Sequence, residues 1–291
     1  MTQHWQPPSL HGDPAVHLPA EHRGRFELDF IRHGARTTLA RQFVSYPFHL
    51  TRPFRLDPAI PSLLTLYQQS SSGGLYRGER LSCRFRVGEG AAAHITTQAA
   101  TIVHDCQGRP AHQGAVIQVE AGAFLAYAPD PLVLFPGASF TASLEVKLAD
   151  DAVVFLCDAL TTHDPRAEGR RFDRLSSDVV IRNSSGRLVV RDCFQLTGEA
   201  LRERTSPMGR WQVMASYLVL GPPSRLPSLA ELQHSHVEGR AILGVSALPN
   251  AAGWGIRCLA ADAIAARKTS DRLFSTCCQA AFGHSPTPRR K

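Results

Sequence analysis

Asp158, His163, Asp164 and Glu168 gather three carboxylates and an imidazole within one short stretch. Oxygen and imidazole donors of this kind hold a divalent ion weakly and exchangeably, whereas a cage of thiolates would trap it. Other ligand types occur in poorer patterns. In His104-Asp105-Cys106 only the first and third side chains of an extended strand share a face, so the triplet reads as an exposed polar strand end. His234 and His236 would point about 200° apart on a helix, and Cys277 and Cys278 about 100° apart, which makes both pairs poor chelates. Gly73-Gly74-Leu75-Tyr76-Arg77-Gly78-Glu79 lacks the Gly-Lys-Ser/Thr ending of a phosphate loop and reads as a tight turn that delivers Glu79 to a strand entrance. The chain carries no Gly-x-Ser-x-Gly elbow, no His-Glu-x-x-His pair and no Cys-x-x-Cys. Nothing in these patterns points to covalent catalysis.

The elements that must position these residues announce themselves by a recurrence. Arg86-Val87-Gly88-Glu89-Gly90-Ala91, Gln118-Val119-Glu120-Ala121-Gly122-Ala123 and Lys147-Leu148-Ala149-Asp150-Asp151-Ala152 each end an alternating run, turn, and enter an apolar run at Ala. One supersecondary unit stacked along an axis is the expected architecture. Arg25 to Thr38 reads as a strand and hairpin turning at Gly34. From Leu81 to Leu160 nearly every segment alternates or is β-rich, and Asn183-Ser184-Ser185-Gly186 joins two further strands. Trp211 to Leu220 and Gly253 to Ala260 are also strands. Ser228 with Glu231 predicts a capping box opening a short helix to Val237, and Asp262 to Ala281 a longer one. The expected fold is therefore mainly β, an irregular β-helix or solenoid-like stack with two helices near the carboxyl-terminal end.

Composition narrows the function classes. With 43% hydrophobic and 20% charged residues the 291-residue chain is that of a folded protein, and no run is long and apolar enough for a membrane span. The amino-terminal stretch has no apolar signal core, so the expectation is cytoplasmic residence, no membrane partner, and a flexible segment over 1–23. A single domain over 24–285 and a basic tail over 286–291 complete the expected organisation. Seven scattered cysteines exclude a disulfide framework, and Cys83, Cys157 and Cys193, lying in apolar or alternating runs, are expected to be buried thiols. The net charge of +7 comes almost wholly from Arg, whose planar fork suits carboxylates on partner proteins. No basic stripe is interleaved with aromatic residues, so nucleic acid is not an expected partner.

The order of several short motifs carries a resemblance. Arg52-Pro53-Phe54, then Gly73-Gly74 with Gly78-Glu79-Arg80-Leu81, then Thr96-Thr97-Gln98-Ala99-Ala100-Thr101, then Pro129-Asp130-Pro131-Leu132-Val133-Leu134-Phe135-Pro136-Gly137-Ala138 resembles the urease accessory proteins called UreD or UreH. Ser246-Ala247-Leu248-Pro249-Asn250, followed by Arg257-Cys258-Leu259 and a helix, is similar as well. The resemblance covers roughly residues 24 to 285 and rests on the order of the motifs.

It implies a non-enzymatic scaffold that binds apo-urease and partner accessory proteins, including a GTPase, and assists nickel delivery to the urease active site. It also implies a polar internal passage. Glu79 stands where the family usually has Asp, and Asp158 at an acidic family position. Because guidance needs weak ligands, Glu79, Asp158 and Glu168 are the expected passage residues for transient nickel, with no tightly bound cofactor. The chain departs from the family in Asp164-Pro165-Arg166-Ala167-Glu168-Gly169-Arg170, where the terminal acid has become Arg170, and in Ile102-Val103-His104-Asp105. A cation there repels a metal ion unless Glu168 or Asp164 compensates it. Two other readings compete: a β-solenoid carbohydrate-active enzyme using Asp130 and Asp158, and an adaptor that never touches metal.

Overall fold

A computed structural model describes residues 23–201, 206 and 208–288. The expectation of a flexible segment over 1–23 falls almost wholly outside these residues, as does the end of the basic tail. β1 (Arg23–His33) turns at Gly34 into β2 (Arg36–Val44), and the chain crosses through β3 (Phe48–Leu50) to β4 (Leu63–Ser70). It then winds in successive coils. The first is β5 (Arg80–Val87), β6 (Ala92–Thr97) and β7 (Thr101–Val103), and the second is β8 (Ala111–Val119), β9 (Phe124–Tyr127) and β10 (Leu132–Leu134). The third is β11 (Ser139–Leu148) and β12 (Val153–Thr162), whose start pairs with β9 and whose end pairs with β10. The hairpin of β13 (Arg174–Asn183) and β14 (Leu188–Leu196) follows, then β15 (Val213–Leu220) and α1 (Leu229–Gln233). The chain finishes with β16 (Ala241–Ala247), β17 (Gly253–Ala260) and α2 (Ala263–Phe282).

The recurrence in the sequence is the corner of this coil. Val87, Val119 and Leu148 lie in register on one sheet, and Ala92, Phe124 and Val153 on the other. Between them the turns sit on one another: Gly90 N–H donates to the Ala121 carbonyl at 2.9 Å and Gly122 N–H to Asp151 Oδ1 at 2.9 Å. Gly90 and Gly122 adopt φ of 61° and 64°, which a side chain resists. The carboxylate of Asp151 bonds the turn above it.

The first sheet runs β14-β13-β11-β8-β5-β1-β2 and the second β16-β17-β15-β12-β9-β6-β4-β3; in each, the central strands are parallel and the outermost ones antiparallel. Burial distinguishes them. β5 alternates perfectly between exposed and buried, because its outer face meets solvent, whereas β9 is buried along its whole length. The reason is α2, which covers the outer face of the second sheet. Its stripe of Ala266, Thr269, Leu273, Phe274 and Cys277 packs there against Phe155, Tyr217 and Ile256. The second core, between the sheets, holds Phe26, Phe85 and Ile117 against Leu66, Ile95 and Leu125.

Two expectations need correction. The helix expected from Ser228 to Val237 has the capping box but spans only Leu229–Gln233, since His234 leaves helical geometry at ψ 0°. Cys193 is exposed, because β14 is the edge of the first sheet and Cys193 points to its solvent face. Cys83 and Cys157 are buried as expected. The helix predicted from Asp262 to Ala281 is α2 itself, with Asp262 Oδ1 accepting from Ala265 N–H at 2.8 Å and Gly283 ending it at φ 73°.

Candidate functional site

A cavity of about 350 Å³ lies between the two sheets. Strand alternation decides what faces it. On β12, Val154, Leu156 and Leu160 point inward while Val153, Phe155 and Cys157 point to α2, so Asp158 lies on the inward series. Most inward positions are aliphatic or aromatic, but three pairs of polar side chains span the gap from sheet to sheet. Gln68 Nε2 lies 3.8 Å from the Cys83 sulfur, Gln113 hydrogen-bonds the Tyr127 hydroxyl, and Ser177 Oγ donates to Asp158 Oδ2 at 2.8 Å. Near Asp158, Arg257 on β17 and Asp192 on β14 form a further bridge between the sheets at 2.6 Å. The cavity opens where exposed Ser70, Gln98, Ala99 and Ala100 line it, beside Gly73, Gly74 and Asp130.

This interior disfavours anions. Burial pushes the Cys83 thiol up to about 12, against a smaller opposite effect of its Gln68 contact, and pushes the Tyr127 phenol well above its usual value. The Asp158 carboxyl is also raised, chiefly by burial and in part by Asp192, while the Ser177 hydrogen bond and Arg257 pull it down. Part of the Asp158 side chain is uncovered, but the space it faces is the cavity. Between its ordinary value and the raised one the native state keeps a proton that the unfolded chain has released, so this group favours folding at low pH, and that contribution is lost as pH rises through the raised value. Asp158→Asn, which keeps an acceptor for Ser177, is expected to stabilise the protein at neutral pH, by about 1.4 kcal/mol for each unit of the shift. Urea midpoints across a pH series check this: the gain should vanish as pH approaches the ordinary value of 3.8.

The three expected passage residues are not brought together. Asp158 lines the cavity; Glu79 and Glu168 do not. Glu79 is buried, and its Oε2 accepts from Tyr76 N–H at 3.0 Å, closing the glycine-rich turn at the entrance to β5. Glu168 is half exposed and pairs with Arg170 at 2.9 Å, so the departing guanidinium is neutralised on the surface. Asp164 accepts from the backbone N–H groups of Arg166 and Arg170. His163 joins a column of rings, Tyr76, His104, Phe135 and His163, spaced 4.5, 5.5 and 5.6 Å apart on the third face of the coil. Asp130 lines the cavity with Asp158. Cys277 and Cys278 are buried in the core beneath α2. Among the described residues no group of three or more His, Cys, Asp or Glu side chains is placed to share one ion.

Sequence reasoning missed Gln68, Gln113, Tyr127 and Ser177 as members of this interior. The available signal was faint: a single polar residue at an inward position of an otherwise apolar strand face.

A coiled stack of parallel strands around a cavity with cross-braced polar side chains defines a β-coil scaffold. Three of the motifs that carried the sequence resemblance reach its rim, where Gly73, Gly74, Thr97 to Thr101, Asp130 and Leu132 line the opening or the wall next to it, whereas Arg52-Pro53-Phe54 and Ser246 to Asn250 do not line it. Residues 22–291 match the family described as UreD urease accessory protein, and the chain belongs to that family. It is 44% identical over 258 residues to urease accessory protein UreD 1 of Bradyrhizobium sp. strain BTAi1, covering 89% of this chain and 91% of the relative. It is 41% identical over 292 residues to UreD 1 of Methylorubrum extorquens strain PA1, covering 97% and 99%. Urease accessory protein UreD 1 of Pseudomonas syringae pv. tomato is 34% identical over 256 residues, covering 87% and 90%. No helix among the described residues is long and apolar enough to cross a membrane.

Proposed function

We propose that this protein is a cytoplasmic, non-enzymatic scaffold of urease maturation. It docks on apo-urease, gathers the partner accessory proteins, a GTPase among them, and gives nickel a path through the cavity between its sheets. Family membership supports the maturation role. The observation that carries the path is the cavity itself, with Asp158 and successive amide, phenol and hydroxyl groups along an otherwise apolar interior. Asp130 and the ionised form of Asp158, set among neutral donors and without a third ligand beside them among the described residues, attract a divalent ion without caging it, which is what a transported ion requires. Nickel is cargo here, and neither covalent chemistry nor a resident cofactor is invoked.

Ala142→Phe tests the path. Ala142 is on the inward face of β11 and lines the cavity, so a ring there plugs it from within. The variant, verified as folded by circular dichroism, should still co-purify with apo-urease and its accessory partners while nickel in the urease drops to the level found without this protein. Full nickel loading through the plugged variant would instead favour a metal-free adaptor. Failure of the parent protein to co-purify with apo-urease would remove the scaffold role itself.

A further inference from the structure

The outer face of the first sheet carries a groove of about 400 Å³ that the cavity and its proposed role leave unused. Its floor is a row of small residues, Ser82, Gly114 and Ser143, in register across β5, β8 and β11. Gly114 is the unusual member. A glycine inside a strand costs about 0.5–1 kcal/mol relative to alanine. No turn or left-handed backbone requires it here, and an added Cβ would meet only Ser143 Oγ, at 3.2 Å. Strand glycines of this kind mark close approach of another backbone.

Charge identifies what approaches. At one end of the groove Arg25 is held by Glu27 and lies over Phe43, and at the other Glu145 and Asp178 are already bonded to Arg182 and Arg191. Arg84, on the wall directly beside the floor, is exposed, and its side chain makes no hydrogen bond or ion pair among the described residues. The free charge of the groove is therefore a guanidinium, suited to a carboxylate. Next to it Val116 is 54% exposed and offers an apolar contact. The groove crosses from β1 to β13, five neighbouring strands or about 19 Å, which an extended segment of about six residues spans. No Phe, Tyr or Trp lines it, so stacking of nucleic-acid bases has no platform.

We propose that this groove binds an extended acidic segment of a protein partner, its backbone passing over Gly114 and a carboxylate paired with Arg84. The inference does not depend on the nickel path or on which accessory protein supplies the segment.

Fluorescence anisotropy at low salt, with a short labelled peptide of alternating Glu and Ser, tests it on the full chain. The wild type should bind this peptide and prefer it to the Gln-Ser counterpart. Arg84→Gln should weaken binding about tenfold, the loss of one charge-assisted contact. Gly114→Val, which changes no charge, should weaken it to a similar degree, while Lys268→Gln on α2 leaves it within about twofold, as expected for a remote, screened charge. Ser82→Val fills the same floor from an exposed strand position that favours a β-branched residue, and decides the matter if Gly114→Val is unstable. No binding by the wild type overturns the proposal. So does unchanged binding by Gly114→Val or Ser82→Val, since the effect would then be charge alone. Tighter binding of a labelled single-stranded RNA than of the peptide would assign the face to nucleic acid and equally overturn it.

Discussion

Phe85→Ala lowers the unfolding free energy by about 3–5 kcal/mol, the range for truncating a fully buried aromatic residue. Phe85 sits in the middle of β5 with none of its surface exposed, and its ring meets Phe26 edge-on at 6.1 Å and Tyr127 at 5.3 Å. It thus joins neighbouring strands of the first sheet to the second sheet across the core. The hole left behind cannot be closed by sliding the sheets, because their strands are tied in register on both sides. For a domain whose total stability is about 5–15 kcal/mol, such a loss is visible at once in a urea unfolding curve. A midpoint within experimental error of the parent would mean that the two sheets do not share this core.

Gly253→Ala is expected to be still more damaging. Gly253 opens β17 with φ 131°, a conformation for glycine alone, and pairs with Leu220. An alanine Cβ there would fall deep inside the van der Waals envelope of the Val219 carbonyl, a backbone group that cannot turn away, and 3.0 Å from the Leu226 side chain. Backbone strain of about 1–3 kcal/mol adds to the clash, so a total above about 4 kcal/mol follows. Gly244→Ala is the control, since its Cβ would meet nothing within 4 Å on the edge strand β16. Thermal unfolding of the two variants side by side should show a collapse for the first and no loss for the second.

Much of the architecture was legible in the sequence because the turns demand particular residues. Gly90 and Gly122 are needed for left-handed corners, Asp151 for a carboxylate that bonds the turn above, and their spacing measures one coil. Alternation gave β5, which has one wet face, and caps gave α2. What stayed hidden has equally physical causes. β7 and β10 are three residues long and have no period to detect. β16 is an edge strand with little burial pattern, and the same edge logic exposed Cys193. The interior was hardest to foresee. Tyr127 meets Gln113, and Asp158 meets Ser177, through the facing of two sheets, which short-range spacing does not encode. Asp158 emerged as a candidate from its acid character at a position resembling the family, whereas Glu79 carries the same character but serves its own turn.

The antiparallel strands that bound the parallel coil on both sheets have a consequence for growth. A parallel coil left open at either end would offer a matching template to another molecule and elongate into fibres. Here β2 and β3 close one end, and β14 and β15 the other, so the molecule has a fixed length. That length is set in whole coils. Inserting one more between β10 and β11 would lengthen the interior by about 4.8 Å and leave both terminal strands undisturbed. The fold is thus a ruler with closed ends, its span counted in turns of chain.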